Sequence, residues 1–243
     1  MSSAAPHRTA KAIPPAERLI FALDVATAPE AKRLVQTLGD SVRFYKIGLE
    51  LFTAEGAFEL LDGLVAQGKK VFADFKLYDV PRTVGAAVRN LSARGATFVT
   101  VHGDRAIMDA ACEEKGRLGI LAVTVLTSLN EKDLADMGYA GNVGGLVLKR
   151  ALAAKTAGCD GVVASGHEAA LLRADLGPNM AIVVPGIRPP GPSSDDQKRT
   201  VDVEEAFQAG ADYVVIGRPI RSAPDPAAAA AAYQARIAKV CGA

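Results

Sequence analysis

Eight short segments rich in Val, Ile, Leu and Phe recur along the 243-residue chain, and the stretch between neighbours is long enough for a helix. The segments are residues 19–24, 42–48, 70–76, 97–102, 120–126, 161–165, 181–185 and 213–217. Such continuous apolar runs are typical of parallel strands that are buried on both faces. The stretches between them, for example 29–38 and 84–94, space their apolar residues three and four positions apart, as amphipathic helices do. This alternation predicts an α/β fold, a single (β/α)8 TIM barrel.

A doubly wound open sheet is the alternative arrangement of the same elements. That fold commonly carries a G-x-G-x-x-G motif directly after its first strand, and no such motif follows residues 19–24. The length of the chain suits one barrel. We therefore expect a flexible N-terminal arm over residues 1–16 and a (β/α)8 barrel catalytic domain over residues 17–243.

Two segments depart from the regular alternation. Residues 127–145 form a long stretch after the fifth strand, before the next helix is expected to begin. The seventh strand leads into a loop rich in Pro, Gly and Ser that runs to Arg199. Because long irregular loops in a compact domain are usually functional, we expect both to have a functional role, with a merely tolerated insertion as the alternative. The Ala-rich tail, residues 226–240, predicts a final helix.

The charge balance argues for a small-molecule ligand. With 28 basic and 27 acidic residues the net charge is +1, so nothing indicates a nucleic-acid partner. No apolar run is long enough to span a membrane, and the first residues lack the apolar segment of a signal peptide. Cys112, Cys159 and Cys241 are far apart in the sequence, which predicts incidental thiols in a reducing compartment. We therefore expect a cytoplasmic protein.

Polar residues stand at the end of nearly every predicted strand. In TIM barrels the active site lies at the carboxyl ends of the strands, so these side chains are expected to converge there. They are Asp24, Lys46, Asp74, Lys76, Asp79, His102, Thr127, Ser128, Ser165, Arg188 and Arg218. For His102 a structural role is the simpler interpretation, whereas the charged residues are costly at buried strand ends unless they bind something.

The third strand carries the most informative pattern. Asp74 and Lys76 are two residues apart, so both side chains point to the same face of the strand, and Asp79 follows in the loop. A Lys close to two carboxylates stays protonated, which makes it a poor Schiff-base former and a good proton donor to a carbanion. A carboxylate placed beside a substrate carboxylate would favour loss of carbon dioxide. An ordinary surface ion-pair cluster is the alternative interpretation.

The eighth strand predicts a phosphate site. Gly217 lets the backbone approach a ligand closely, and Arg218 offers two parallel N–H donors to a phosphate. Phosphate sites in such barrels are often formed by the loops after strands seven and eight. Arg188 and Gln197, in the long loop, are expected to reach the same face.

The run from Asp74 to Thr83, DFKLYDVPRT, resembles the signature of the orotidine 5′-phosphate decarboxylase family. The similarity continues through Leu23-Asp-Val25, Lys46-Ile-Gly48, Leu126-Thr-Ser128, Pro185-Gly-Ile-Arg188, Asp196-Gln197 and Val215-Ile-Gly-Arg-Pro219, in the expected order over residues 18–240. It is closest to the shorter, bacterial type of the family. One departure is Val184, where Thr is expected; it is expected to pack in the barrel wall.

The resemblance implies decarboxylation of orotidine 5′-monophosphate to uridine 5′-monophosphate, the last step of de novo pyrimidine synthesis, without a metal or an organic cofactor. It implies that Lys76 protonates C6 of the pyrimidine and that Asp74 lies near the departing carboxylate. It also implies a homodimer in which Asp79 and Thr83 enter the site of the neighbouring subunit.

The resemblance also assigns the substrate-binding residues. Asp24 and Lys46 would hold the ribose hydroxyls, and Lys46 would also align the chain of charges. Thr127 and Ser128 would contact the base, and Pro185 belongs with the substrate-binding residues. The phosphate would be held by Arg188, Gln197, Gly217 and Arg218, with the long loop closing over it as a lid.

Two other functions fit the same outline. A metal-dependent sugar-phosphate decarboxylase of the same superfamily would share the Asp/Lys/Asp pattern, but it needs an oxygen-lined Mg²⁺ site, and the cationic Lys46 disfavours one. A non-catalytic phosphoribosyl-binding barrel is the second alternative, because a fold alone does not establish an activity. Such a binder would have no need to set Lys76 between Asp74 and Asp79.

Overall fold

The chain forms a closed barrel of eight parallel strands in a computed structural model, which describes residues 10–188 and 200–242. The strands are Leu19–Ala22 (β1), Phe44–Gly48 (β2), Lys70–Leu77 (β3), Phe98–His102 (β4), Gly119–Val123 (β5), Gly161–Val163 (β6), Ala181–Val184 (β7) and Tyr213–Ile216 (β8). Each strand pairs with the next in sequence, and β8 pairs with β1. The predicted (β/α)8 barrel is confirmed, and the open sheet is excluded because the first and last strands are hydrogen-bonded.

Helices surround the barrel and follow the strands. They are Ala28–Leu38 (α1), Leu49–Phe52 (α2), Ala57–Ala66 (α3), Pro81–Ala93 (α4), Arg105–Glu114 (α5), Glu131–Asp136 (α6), Val143–Ala157 (α7), Ala169–Leu176 (α8), Val203–Gln208 (α9), Arg218–Arg221 (α10) and Pro226–Cys241 (α11). Local signals fix several helix starts. The Thr27 hydroxyl accepts from the Glu30 amide at the start of α1, and Asp225 accepts from the Ala228 amide at the start of α11.

The expectation of an uninterrupted stretch over residues 127–145 is wrong. Helix α6 lies inside it, and α7 begins at Val143. A reciprocal cap starts α6, because Asn130 accepts from the backbone of Asp133 while the Asp133 carboxylate accepts from the Asn130 amide. Leu134 is buried and anchors this short helix to the barrel.

Aromatic side chains close the amino end of the barrel. Phe44, Phe98 and Tyr213 stand at the first residue of β2, β4 and β8, and their ring centroids lie 5.4–5.9 Å apart. Further apolar side chains complete this interior cluster, among them Ile20, Phe72, Leu121, Val183 and Val215. A second, larger core lies between the strands and the helices. Because the amino end is filled, the barrel opens at the carboxyl ends of the strands.

A buried ion pair ties the amino end together. The Arg173 guanidinium of α8 contacts the Asp212 carboxylate at 2.6 Å, and both side chains are almost fully buried. Arg173 also donates to the carbonyls of Gly210 and Met180. Burial raises the pKa of Asp212, against the opposing effect of Arg173. Asp212 also accepts from the Ile182 amide, so the pair links α8, β7 and the turn before β8.

Residues 10–16 lie across the same end of the barrel. The Ala10 amide donates to the Pro178 carbonyl, Lys11 donates to the Asp160 carbonyl, and Ile13 packs against the interior cluster. The proposed division into an arm (1–16) and a catalytic domain (17–243) stays a prediction. Over the two described ranges, no helix has both the length and the apolar character that a bilayer span requires.

Gly161 of β6 is required by close packing inside the barrel. A Cβ there would lie 2.4 Å from the Ala181 carbonyl oxygen and 2.9 Å from Leu121. Gly161→Ala should therefore lower the free energy of unfolding by roughly 1–3 kcal/mol, as overpacked core substitutions do. Gly63→Ala in α3 is the matched control, because a Cβ at Gly63 would meet no neighbouring atom within 4 Å. The control should raise stability by about 0.5–1 kcal/mol. Denaturant unfolding of both variants measures the difference, and equal stabilities would contradict the packing argument.

Candidate active site

A cavity of about 350 Å³ opens at the carboxyl ends of the strands. Its walls are apolar near the barrel interior and polar at the rim. The lining residues include ten predicted site residues: Asp24, Lys46, Asp74, Lys76, Thr127, Ser128, Pro185, Arg188, Gly217 and Arg218. The remaining wall is formed by Ala22, Phe72, Val123, Val125, Leu126, Val163, Gly186 and Val215. A cavity of this size and mixed lining suits a small ligand with a few charged groups.

Four charged residues, on or just after three adjacent strands, form an alternating chain along one wall. The Lys46 ammonium lies 2.9 Å from Asp24 Oδ1 and 3.6 Å from Asp74 Oδ2, and the Lys76 ammonium lies 2.9 Å from Asp74 Oδ1. The strand register explains the alignment, because Asp74 on β3 pairs with Gly48 on β2 and Ala22 on β1 pairs with Lys46. Each cation is therefore neutralised by a carboxylate, and Asp74 lies between two cations.

The neighbouring charges keep both inner groups ionised. Burial alone would raise the pKa of Asp74, but Lys46 and Lys76 outweigh it, and the pKa is lowered. Burial alone would lower the pKa of Lys46, but Asp74 and Asp24 outweigh it, and the pKa is raised. Asp74 is thus a carboxylate at neutral pH, and Lys46 is an ammonium ion.

The strand that carries Asp74 and Lys76 is irregular between them. The pairing of β3 with β4 shifts register between Ala73 and Leu77, and Lys76 has a φ of 49°, in the left-handed region. This conformation is strained for a residue with a side chain. The Lys76 amide donates to the Thr100 hydroxyl oxygen at 2.9 Å, which holds the irregular backbone against β4.

Two residues support the site in roles that the sequence did not reveal. Thr100 is fully buried, and its hydroxyl donates to Asp74 Oδ1 at 2.9 Å. The sequence signal for Thr100 was its polar side chain within an otherwise apolar strand, on the same face as Phe98 and His102. Gly48 is the second, because a Cβ there would lie only 3.0 Å from the Lys46 ammonium. The absence of a side chain at Gly48 leaves room for this ammonium between its two carboxylates.

The opposite rim is formed by the ends of β7 and β8. Gly186 follows Pro185 with a φ of 75°, and Gly217 precedes α10, so the backbone itself lines the cavity at both strand ends. Arg188 and Arg218 bring two guanidinium groups to this rim. The long loop begins here, and a parallel bridge between Ile187 and Val201 joins its ends. Gln197, and Asp196 beside it, lie outside the described residues.

Asp79 and Thr83 do not line this cavity. Asp79 precedes α4, where its carboxylate accepts from the Val80 amide, and Thr83 lies in the first turn of that helix. The side chains that flank Asp79 are apolar and strongly exposed: Tyr78 is 66 % and Val80 is 63 % accessible. The two predicted residues are therefore separated from the other ten and lie on an apolar part of the surface.

His102 lies beside the cavity but does not line it. Its ring packs against Tyr78, with ring centroids 4.8 Å apart. Burial and the nearby Arg150 lower the pKa of His102.

Across residues 10–188 and 200–242, no three His, Cys, Asp or Glu side chains come together as a metal-binding group.

Residues 17–233 match the model of a family described as "Orotidine 5′-phosphate decarboxylase / HUMPS family". The chain is 57 % identical over 231 residues to orotidine 5′-phosphate decarboxylase from Methylococcus capsulatus, covering 95 % of this chain and 96 % of the relative. It is 53 % identical over 223 residues to the protein of the same name from Xanthomonas campestris, with coverages of 91 % and 92 %. The crystal structure of orotidine 5′-phosphate decarboxylase from Lactobacillus acidophilus superposes with a TM-score of 0.81 at 32 % identity, covering 93 % of this chain and all of that one.

The Thr100 hydroxyl is expected to stabilise the charged wall. Thr100→Val keeps the shape of the side chain but removes the donor to Asp74 and the acceptor for the Lys76 amide. Loss of these bonds in a buried place should lower the free energy of unfolding by roughly 1–3 kcal/mol. Thr100→Ser keeps the hydroxyl and should cost about 1 kcal/mol or less, for the lost methyl group. Urea unfolding measures both, and a valine variant as stable as the serine variant would contradict this role.

Proposed function

The chain belongs to the orotidine 5′-phosphate decarboxylase family, and we propose that it converts orotidine 5′-monophosphate into uridine 5′-monophosphate and carbon dioxide in de novo pyrimidine synthesis, with Lys76 as the proton donor. The observation that carries the proposal is the alternating chain from Asp24 through Lys46 and Asp74 to Lys76 in the wall of the cavity. This row of charges supplies one carboxylate that stays ionised, Asp74, and one ammonium group that faces the ligand, Lys76.

The exposure of the two lysines separates their roles. The Lys46 side chain is 11 % exposed and lies between Asp24 and Asp74, so it serves to align the carboxylates. The Lys76 side chain is 32 % exposed, and its ammonium contacts Asp74 at 2.9 Å. Lys76 is therefore the cation that a ligand in the cavity can approach. Asp74 cannot serve as the acid, because the neighbouring lysines lower its pKa.

The chemical step needs only these groups. The bond between C6 of the pyrimidine and its carboxylate breaks, the electron pair stays on C6, and carbon dioxide leaves. The ammonium of Lys76 then donates a proton to C6, and the neutral amine regains a proton from water. The net reaction consumes one proton, and the Lys76 ammonium beside the reacting carbon supplies it.

Asp74 acts by its charge. In the proposed complex its carboxylate lies beside the substrate carboxylate, and the repulsion between them disappears when carbon dioxide leaves. The carbanion that forms at C6 is instead next to the Lys76 ammonium. Interactions that become more favourable in the transition state are those that raise the rate.

The remaining lining residues are proposed to hold the nucleotide. Thr127 and Ser128 are proposed to contact the base, and Asp24 and Lys46 the ribose hydroxyls. For the phosphate we propose Arg188, Gln197, Gly217 and Arg218, with Pro185 in the wall beside them. Support comes from the two guanidinium groups and the glycine-lined backbone at the ends of β7 and β8, where barrels often bind phosphate. Closure of the long loop as a lid stays a prediction.

A metal-dependent sugar-phosphate decarboxylase remains the competing enzyme, since the matched family description covers more than one kind of member. Mg²⁺ prefers a shell of carboxylate and other oxygen ligands. Here the place between the carboxylates of Asp24 and Asp74 is taken by the Lys46 ammonium, which supplies the positive charge itself. The electrostatics of this wall therefore favour the cofactor-free decarboxylase. They also disfavour a purely binding role, which would not need a protonated Lys76 beside Asp74.

We further propose that the active form is a homodimer in which Asp79 and Thr83 complete the site of the partner subunit. Both residues lie outside their own cavity, next to the exposed Tyr78 and Val80. Apolar side chains of this size are typical of the centre of an interface. Cytoplasmic location stays a prediction.

Turnover by the EDTA-treated protein tests the reaction. Loss of the orotidine 5′-monophosphate absorbance should be fast in the wild type without added metal. Lys76→Ala should lower kcat by roughly 10²–10⁴-fold or more, because the proton donor is lost. Lys32→Ala, on the outer face of α1, is the matched control and should leave kcat unchanged. Activity that returns only when Mg²⁺ is added would favour the metal-dependent alternative, and full activity of Lys76→Ala would exclude the proposed mechanism.

Mixing two inactive variants tests the shared site. Lys76→Ala and Asp79→Ala should each be inactive alone. In a hybrid dimer, one site combines the intact Lys76 of one subunit with the intact Asp79 of the other. After unfolding and refolding of an equimolar mixture, about a quarter of the wild-type activity should therefore return, since half of the dimers are hybrids with one intact site each. No recovery, with dimers present by light scattering, would mean that each subunit completes its own site.

A further inference from the structure

Two of the three cysteines lie in contact, at the end of the barrel opposite the active site. Cys112 is in the last turn of α5, Cys159 lies between α7 and β6, and their sulfur atoms are 3.7 Å apart. The residues are 47 positions apart in the sequence, so the sequence gives no sign of the contact. Both cysteines are free thiols.

The distance between the sulfurs is short enough for a bond to form with a small movement. A disulfide has an S–S length of about 2.05 Å, so the two atoms must approach by roughly 1.7 Å. Cys112 lies near the carboxyl end of α5, and the last turn of a helix adjusts more readily than its middle. Gly158, with a φ of 83°, precedes Cys159, so the turn that carries Cys159 begins at a residue without a side chain.

The surroundings make the two thiols chemically different. Cys112 is partly exposed, whereas Cys159 is buried. The hydrogen bond that Cys112 shares with the Cys159 thiol lowers the pKa of Cys112, and so does the nearby Lys115 ammonium. These two effects outweigh the opposing effects of burial, Asp160 and Asp109. The same hydrogen bond, together with burial, raises the pKa of Cys159. Cys112 is thus the accessible sulfur that becomes a thiolate first.

We propose that Cys112 and Cys159 form an oxidation site that a small disulfide, of the class of oxidised glutathione, converts into an internal disulfide. The Cys112 thiolate attacks one sulfur of the small disulfide, which leaves a mixed disulfide on Cys112 and releases one small thiol. Cys159 then loses its proton and attacks the Cys112 sulfur, which releases the second small thiol. The two protein thiols lose two electrons and two protons, and the small disulfide gains them.

The position of the pair determines the effect of oxidation. Cys159 stands just before β6, and α5 ends just before β5, so the bond would lie at the amino ends of the strands. Lys76 and the other lining residues lie at the carboxyl ends. The bond closes the segment that contains β5, α6 and α7, which restricts the unfolded chain. Oxidation should therefore stabilise the barrel and leave turnover of orotidine 5′-monophosphate unchanged, provided that the proposed reaction is the one catalysed.

Oxidation of the full-length protein by oxidised glutathione tests the proposal. After the remaining thiols are alkylated, digestion and mass spectrometry should identify a peptide that links Cys112 to Cys159. Tm should rise by several degrees, on the order of 5 °C, and return to the starting value after reduction with dithiothreitol. Cys159→Ser should keep glutathione on Cys112 as a mixed disulfide and show no rise in Tm. Cys112→Ser should also form no linked peptide, while Cys241→Ser is the matched control and should behave as the wild type.

Two results would overturn the proposal. The first is that Cys159 remains fully open to alkylation, measured after the chain is denatured, following incubation of the native protein with excess oxidised glutathione. The second is that the bond joins Cys241 to either partner. Mass mapping and Tm do not depend on the catalysed reaction, so failure of the decarboxylase assay leaves the test of this pair intact.

Discussion

The Asp74 carboxylate, held between two ammonium groups, is the interaction on which the charged wall depends. A carboxylate this deeply placed is costly unless its charge is compensated, and removing one partner of such a pair leaves the other uncompensated. Lys46 and Lys76 provide the compensation, Asp24 balances Lys46, and Thr100 donates a further hydrogen bond. The four charges lie on or just after three neighbouring strands, so β1, β2 and β3 must pair in their observed register before the wall exists.

The barrel separates this demanding chemistry from the parts that hold the fold together. The amino end is filled by Phe44, Phe98 and Tyr213 and tied by the buried pair of Arg173 and Asp212. The carboxyl end carries the charged wall, the strained backbone and the loops. Because the amino end supplies stability, the carboxyl end can keep residues that serve ligand binding even where other residues would pack better. The contact of Cys112 and Cys159 lies at the stabilising end, which is why we expect a bond there to leave activity unchanged.

The architecture could be predicted from the sequence because it rests on local patterns of apolar and polar residues. Eight apolar runs predict eight strands, and the charges at their ends predict the lining of the cavity. Helix α6 was missed because six residues are too few for a period, and its reciprocal cap of Asn130 and Asp133 was the only local signal. The role of Gly48 was also hidden, because it depends on the distance from a missing Cβ to an ammonium group two residues earlier in the chain. The cysteine contact depends on the closed barrel, which no local pattern records.

The backbone of Lys76 shows most clearly what a sequence leaves out. Positive φ is normally signalled by Gly, and Lys gives no such sign. In a regular strand Asp74 and Lys76 would project side by side, with their Cα atoms about 6.6 Å apart. The break in β3 instead turns the chain at Lys76, and its ammonium lies against the Asp74 carboxylate while it still faces the cavity. Strain of this kind costs on the order of 1–3 kcal/mol and persists only where surrounding contacts fix it. Thr100 binds both the strained amide and the carboxylate, so the same side chain that holds the distorted backbone also orients the charge beside it.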